Sequence, residues 1–247
     1  MTSYKQGIAF RYIQATKYHR DRPMRDDLGS IPATNHLKNY PDAARVQLPQ
    51  PELSRPADLW QCLARRRSER NYTSDPLGLD DFVRLLWAAQ GVTARAGSHL
   101  LRTAPSAGAL YPFETYLYVD RVEEIPQGLY HFNVAEFVLE RLKDGNYNRD
   151  ITDASLGQPV VRRAAVVFIW TAMMLRCMVK YRDRAVRYIP MDLGHVCQNV
   201  QLAATAMGLG SCPIGALFDD DINELLGVDG EEETVLYLIT VGKLRSL

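Results

Sequence analysis

Four stretches of the chain carry residues whose types and spacing could do chemistry. Arg65, Arg66, Arg67, Ser68, Glu69 and Arg70 set four guanidinium groups and a hydroxyl within six residues. Guanidinium forks match phosphate oxygens two at a time, and a serine adds a donor. The same cations could simply complement the C-terminal dipole of a helix. Residues 180–188 (KYRDRAVRY) form the most unusual run. If it is helical, Lys180, Arg184 and Arg187 share a face at i, i+4 and i+7, where like charges repel. An exposed basic face is one reading of it; a lysine that gives up its proton is the other. Lowering a lysine pKa from about 10.4 to about 7 requires roughly 4.6 kcal/mol, which neighbouring cations and partial burial could supply.

Residues 105–112 (PSAGALYP) are mostly small and stand directly before a strand pattern. Such a stretch lets backbone approach a flat ligand, and Gly108 can take dihedrals closed to other residues; a tight turn feeding the strand explains it equally. Residues 208–215 (GLGSCPIG) offer glycines but not a dinucleotide loop. They follow a helix pattern, and the third glycine of G-x-G-x-x-G falls on Pro213. A glycine helix cap leading into a loop with free N–H groups is the expectation.

Other chemistries find no anchor. His19, His36, His99, His131 and His195 show no paired metal spacing, and His195 is expected to make a buried hydrogen bond on its helix. Cys62, Cys177, Cys197 and Cys212 are far apart, so no zinc ribbon or dithiol motif is present. No G-x-S-x-G elbow, P-loop or H-E-x-x-H occurs. Twenty-nine basic residues balance twenty-nine acidic ones, which removes the electrostatic footprint of a general nucleic-acid binder. The charged N-terminus lacks the apolar core of a secretory signal, and no apolar run reaches membrane-spanning length. The expectation is a soluble, cytoplasmic protein with no metal, nucleic-acid or membrane partner.

The elements that must position these residues are legible in part. Residues 1–56, punctuated by Pro23, Pro32, Pro41, Pro49, Pro51 and Pro56, read as an extended N-terminal arm. Residues 57–247 read as one domain. Ser54 and Pro56 look like a helix start, with Leu59, Trp60 and Leu63 on its apolar side and an end near Arg67. Leu79, Phe82, Val83, Leu86 and Gln90 mark a second helix closed by Gly91. Residues 115–119 read as a strand, and 128–132 with 137–142 as a hairpin. The runs 164–171 (AAVVFIWT) and 234–241 (TVLYLITV) suit strands buried on both faces. Between them, 190–208 is a helix apolar almost all round, hence central; its polar Asp192, His195 and Asn199 fall on one face. The pattern is α+β, helices around a mainly antiparallel sheet.

Taken together and in this order, RRSER at 66–70, PSAGALYP at 105–112, GLYHF at 128–132, KYRDRAVRY at 180–188, GHVCQN at 194–199 and GLGSCPIGA at 208–216 resemble the flavin-dependent nitroreductase superfamily. Within it the chain is most similar to the SagB-type branch, thiazoline/oxazoline dehydrogenases of peptide natural-product pathways. The match runs from about Leu59 to the C-terminus, with ATKYHR at 15–20 also alike. The resemblance implies an α+β homodimer with FMN at the subunit interface. Arg66, Arg67 and Ser68 would hold the FMN phosphate and ribityl chain, and Lys243 and Arg245 would return to the phosphate. Arg70 would face the N1/C2 edge, where a cation stabilises reduced flavin. Ser106, Ala107 and Gly108 would line the ring from the other subunit, Ile214 and Gly215 would bring backbone to N5, and Asn199 is a further candidate. Lys180 and Tyr181 match the branch's proton-transfer pair. Two departures stand out: R-G-Y-R-Y becomes Arg184-Ala185-Val186-Arg187-Tyr188, and the second glycine of P-S-A-G-G-L-Y-P is Ala109. The first bears on the geometry after the Lys-Tyr pair; the second is tolerable if Ala109 has a negative φ.

The expected activity is hydride transfer between a small or peptide substrate, azoline-like in the dehydrogenase version, and flavin N5, with Lys180 or Tyr181 removing the proton and oxygen reoxidising the flavin. One rival is an NAD(P)H-dependent nitro or quinone reductase using the same flavin site. Another is a non-catalytic protein binding phosphate, RNA or a protein partner through 65–70 and 180–187, which predicts no flavin and salt-dependent association with polyanions.

Overall fold

The computed structural model describes residues 4–21, 29–32, 34–35, 37–54, 56–97 and 99–245. Pro23 and His36, named above, lie outside the described residues. The chain runs α1 (Ile8–Ala15), β1 (Ala44–Gln47), α2 (Leu59–Arg65), α3 (Leu79–Gln90), β2 (Val92–Ala96), β3 (His99–Arg102), β4 (Phe113–Val119), β5 (Gly128–Asn133), β6 (Val138–Asp144), α4 (Asn148–Ala154), α5 (Pro159–Arg163), β7 (Val166–Met173), α6 (Met174–Tyr181), α7 (Ala185–Ala206), β8 (Leu209–Ile214), α8 (Asp219–Leu226) and β9 (Glu233–Lys243).

Among the described residues, seven strands form one sheet in the order β1-β6-β5-β4-β7-β9-β8, every neighbouring pair antiparallel. Strands β2 and β3 form a separate hairpin. Alternate residues of β7 point to opposite faces, and both faces are covered. Val166, Phe168 and Trp170 pack with α3 and α7; Val167 and Ile169 pack with α4, α5 and α8. A strand between two helical layers has no wet face, which is why 164–171 reads as an unbroken apolar run. The α+β fold class holds.

Several local expectations shift. The stretch 1–56 is not extended throughout. Residues 4–21 contain no proline, so α1 can form, and β1, between Pro41 and Pro49, pairs with β6 at the sheet edge, where flanking prolines are tolerated. Helix α2 is capped by Asp58, which accepts from the Gln61 N–H, rather than started at Ser54. Helix α7 begins at Ala185 and carries Pro190 inside it. Residues 209–214 are not a loop but strand β8, laid along β9; as an edge strand it accommodates Pro213. His195 is exposed on α7 and makes no buried hydrogen bond.

Candidate functional site

The arginine cluster sits where α2 ends. Ser68 bridges to Ser211 and the Glu69 N–H bonds the Ser211 carbonyl at 2.9 Å, so this segment lies against the open edge of β8. Next along, the Thr73 N–H donates to the Lys243 carbonyl at 2.9 Å, and Tyr72 OH reaches the Thr240 side chain at 2.9 Å. A Cβ on Gly210 would meet Leu244 at 2.5 Å and Tyr72 at 2.8 Å, so only glycine lets the segment approach β8 this closely. Arg67, Ser68 and Arg70 are exposed and Arg66 is half-buried. Arg67 and Arg70 donate to the local backbone carbonyls of Ala64, Arg66 and Ser68. No carboxylate among the described residues pairs with Arg66, Arg67 or Arg70. The tertiary contacts thus bring half-buried Lys243 and exposed Arg245, at the end of β9, close to this cluster.

A second cluster forms at the PSAGALYP loop. Asp192 on α7, buried at 5% exposure, accepts hydrogen bonds from Ser106 Oγ at 2.7 Å and the Ala107 N–H at 2.8 Å. Ser106 Oγ in turn accepts from the Tyr111 N–H at 2.9 Å. The loop held this way is strained: Gly108, Ala109 and Tyr111 have φ of 64°, 55° and 43°. The negative φ that would make Ala109 innocuous is therefore absent, and an alanine occupies a left-handed position that favours glycine. Gly108 faces α6. A Cβ there would lie 2.8 Å from both Lys180 Nζ and Tyr181 OH, so the two proton-carrying side chains converge on this glycine from the same chain. Lys180 is exposed and Tyr181 half-buried, without the burial expected around the lysine.

After Tyr181 the chain does not continue as one helix. Arg182 has φ 47°, a single 3-10 turn follows, and α7 then starts, so Lys180 and Arg184 do not share a helical face. The two arginines that follow bind α1 instead. Arg184 donates to the Thr16 carbonyl at 2.5 Å and stacks 4.1 Å from the Tyr18 ring centre. Arg187 donates to the Ile13 carbonyl at 2.6 Å and to Thr16 Oγ1 at 2.7 Å. Cations on the carbonyl end of a helix complete its hydrogen bonds and oppose its dipole. Tyr188 stacks edge-on against Tyr181 at 4.8 Å and accepts from Arg184 Nε at 2.8 Å.

Sequence reasoning missed a buried charge chain on β4, β5 and β6. Arg176 donates to Glu114 at 2.7 Å; His131 lies 3.2 Å from Glu114 and 2.8 Å from Glu140. Burial by itself would lower the His131 pKa, but the two carboxylates hold it above its ordinary value. Burial would raise Glu114 and Glu140, yet the His131 contacts, with Arg176 at Glu114, hold both below the ordinary carboxylate value. The signal for this network, apolar–charged alternation in 114, 131 and 140, was too sparse to separate from surface-facing strand residues. Asp192 was visible only as a polar residue on an apolar helix. The cysteines are buried, and burial pushes Cys177 and Cys197 up to about 12, so they stay protonated at neutral pH. Among the described residues, no group of His, Cys, Asp and Glu could hold a metal ion, and no helix is long and apolar enough to cross a membrane.

The two clusters lie at opposite ends of α7. Its first residue, Ala185, follows the Lys-Tyr turn, and its last turn leads into β8 beside Ser68 and Lys243. The helix has 22 residues, about 33 Å at roughly 1.5 Å per residue. Ile214 and exposed Gly215, at the far end of β8, lie between these extremes, with Ile214 opposite Leu238; Asn199 is half-buried midway along α7.

The fold is three-layered, helix–sheet–helix, with the arginine cluster and the Lys-Tyr cluster towards separate ends of α7. The Nitroreductase family model matches residues 63–243; the chain belongs to this family and is an oxidoreductase. It is 38% identical over 202 residues, 82% of this chain and 98% of the other, to a protein of Methanocaldococcus jannaschii assigned by inference as a nitroreductase. It is 31% identical over 150 residues to the trifolitoxin-processing protein TfxB of Rhizobium leguminosarum bv. trifolii, spanning 59% of this chain but 40% of that one. Among solved structures, it resembles a chain of the Escherichia coli microcin synthetase McbBCD complex, with a truncated pro-form of microcin bound, at TM-score 0.62 and 22% identity over 74% of this chain and 73% of that chain.

Proposed function

We propose that this chain is an FMN-dependent dehydrogenase that oxidises an azoline-like ring in a small or peptide substrate. The residues present fit a mononucleotide flavin. Arg66, Arg67 and Arg70, free of carboxylate partners among the described residues, together with Ser68, Lys243 and Arg245, would hold the phosphate and ribityl chain; the small-residue loop Ser106, Ala107 and Gly108 would lie against the ring. Ile214 and Gly215 would contribute backbone there, with Asn199 nearby. The loop is anchored at Asp192 and the arginines lie past the last turn of α7, about 21 Å apart along the axis at roughly 1.5 Å per residue; a homodimer whose site joins one copy's arginines to the other copy's loop fits this separation. When bound, the flavin would supply the hydride acceptor.

The chain's own residues would handle the proton. The observation that carries the reading is the convergence of Lys180 Nζ and Tyr181 OH on Gly108, each 2.8 Å from the Cβ position. One would take the proton from the substrate carbon and the other would hold it by hydrogen bond. A second copy docked against exposed Lys180 would exclude water from the pair. The processing role in the name of TfxB and the pro-peptide in the microcin synthetase support a peptide substrate over a nitro compound.

The test begins with the visible spectrum and the mass of any cofactor released by heat. FMN should be released, and Lys180→Ala should keep the flavin while losing dehydrogenation of azoline peptides. Unchanged turnover in that variant would sink the base assignment. A colourless protein that takes up no FMN would sink the cofactor. Rapid flavin bleaching on anaerobic mixing with NADPH would move the reading to a nitro or quinone reductase.

A further inference from the structure

Arg102, the last residue of β3, is a cation with no carboxylate partner among the described residues. It is 8% exposed. Its Nη1 donates to Gln90 Oε1 at 2.9 Å, and its guanidinium lies 4.5 Å from the Tyr111 ring centre. Its Nε is buried without a hydrogen-bond partner, as is Nε2 of Gln90. No carboxylate among the described residues reaches it within salt-bridge distance. The nearest buried acid, Glu114, is already engaged by Arg176 and His131. Burial pushes the Arg102 pKa down to about 10, still far above neutral, so the charge persists. An unpaired buried charge is among the most costly features a fold can carry, so its retention calls for a physical reason.

Beside it lies a cavity of about 40 Å³ lined by Arg102, His99, Leu100, Ala109, Leu110 and Tyr111, with Leu37. At about 10–15 Å³ per water-sized occupant, it holds some three non-hydrogen atoms, the size of a carboxylate. Ala109, Leu110 and Tyr111 belong to the loop whose Gly108 meets Lys180 and Tyr181, and Arg176, one helical turn before Lys180, bonds the Tyr111 carbonyl at 3.2 Å. The cavity therefore opens on the back of the same loop.

We propose that Arg102 forms an anion subsite that takes a carboxylate of the substrate and so selects acidic substrates over neutral ones. This rests on the dehydrogenase reading only for the identity of the substrate; the subsite itself belongs to the chain. Guanidinium groups bind carboxylates through charge-assisted hydrogen bonds, and Arg102 lines the cavity that would take one.

The test is a titration of the flavin-loaded protein, labelled at arginine Nε, with acetate and with uncharged acetamide at constant ionic strength, followed by NMR. One Nε–H resonance and the backbone amides of Ala109 and Tyr111 should shift saturably with acetate alone. Arg102→Lys should lose that resonance and bind acetate about tenfold more weakly or worse, the size of one charge-assisted hydrogen bond. Should that variant fail to fold, the two loop amides of the unaltered protein still decide the matter. Equal responses to acetate and acetamide, or none at these positions, would overturn the subsite. Acetate binding by protein that takes up no flavin would keep the subsite while removing the cofactor reading.

Discussion

Replacing Asp192 with alanine tests whether the strained loop is held from the long helix. The carboxylate accepts two hydrogen bonds, at 2.7 and 2.8 Å, from Ser106 and Ala107. Hydrogen bonds to a charged group contribute about 1.5–3 kcal/mol each, so the anchor amounts to about 3–6 kcal/mol. Against it stand the left-handed backbones of Ala109 and Tyr111, at about 1–2 kcal/mol each. The anchor exceeds the strain by a narrow margin, so without it the loop should relax to ordinary dihedrals rather than persist unsatisfied. Stability should then fall by only the difference, about 1–2 kcal/mol, while Gly108 moves away from Lys180 and Tyr181. Turnover should fall about ten- to a hundredfold, since each tenfold corresponds to about 1.4 kcal/mol of barrier. Urea denaturation followed by circular dichroism reads the first quantity and steady-state kinetics of the flavin-loaded protein the second. An Asp192→Ala protein with wild-type midpoint and turnover within about twofold would show that the loop holds itself, and the account of the anchor would be wrong.

The two neighbouring loop positions should respond in opposite senses. Gly108→Ala places a methyl 2.8 Å from Lys180 Nζ and Tyr181 OH and should depress turnover with modest loss of stability. Ala109→Gly relieves a φ of 55° and should leave stability equal or slightly higher; a loss of about 1 kcal/mol, as for glycine at an ordinary position, would contradict the strain. The His131 cluster sets a pH window. Glu114 and Glu140 are held below 4.5, so their contribution is full above that value and is lost as pH falls through their folded pKa values. His131 is held above 6.5, so its contribution is full below 6.5 and is lost as pH rises through its folded value. Urea midpoints should peak between these limits, and His131→Gln should abolish the alkaline decline; a wild-type profile that keeps rising on the alkaline side would refute the assignment.

The sequence was enough for the elements whose composition reports their surroundings directly. The 166–170 stretch is apolar at every second and intervening position because helices cover both faces of its strand, and the 79–90 helix shows its period because one side meets the sheet. Motif residues also carried the family, since Arg66–Ser68, the PSAGALYP loop and the Lys-Tyr pair are local in the chain. Harder to read were elements whose cause lies elsewhere. Residues 209–214 look like a glycine-rich loop because Gly210 and Pro213 disfavour strands, and they pair only because β9 and the Ser68 segment offer partners on both edges. Helix α1 is an undistinguished stretch until Arg184 and Arg187, some 170 residues away, close its carbonyl end.

The same division runs through the candidate site. The sequence by itself determined which groups are present: guanidinium forks, a loop of small residues, a lysine beside a tyrosine. Only the tertiary structure decided that Gly108 meets Lys180 and Tyr181, that Asp192 anchors this loop from 85 residues away, and that the arginine cluster lies at the other end of α7. It alone also revealed Arg102 as a buried charge with no carboxylate partner among the described residues. Residue identity states what bonds a side chain can make, whereas desolvation, strain and unmet hydrogen bonds depend on which distant segments the fold brings around it.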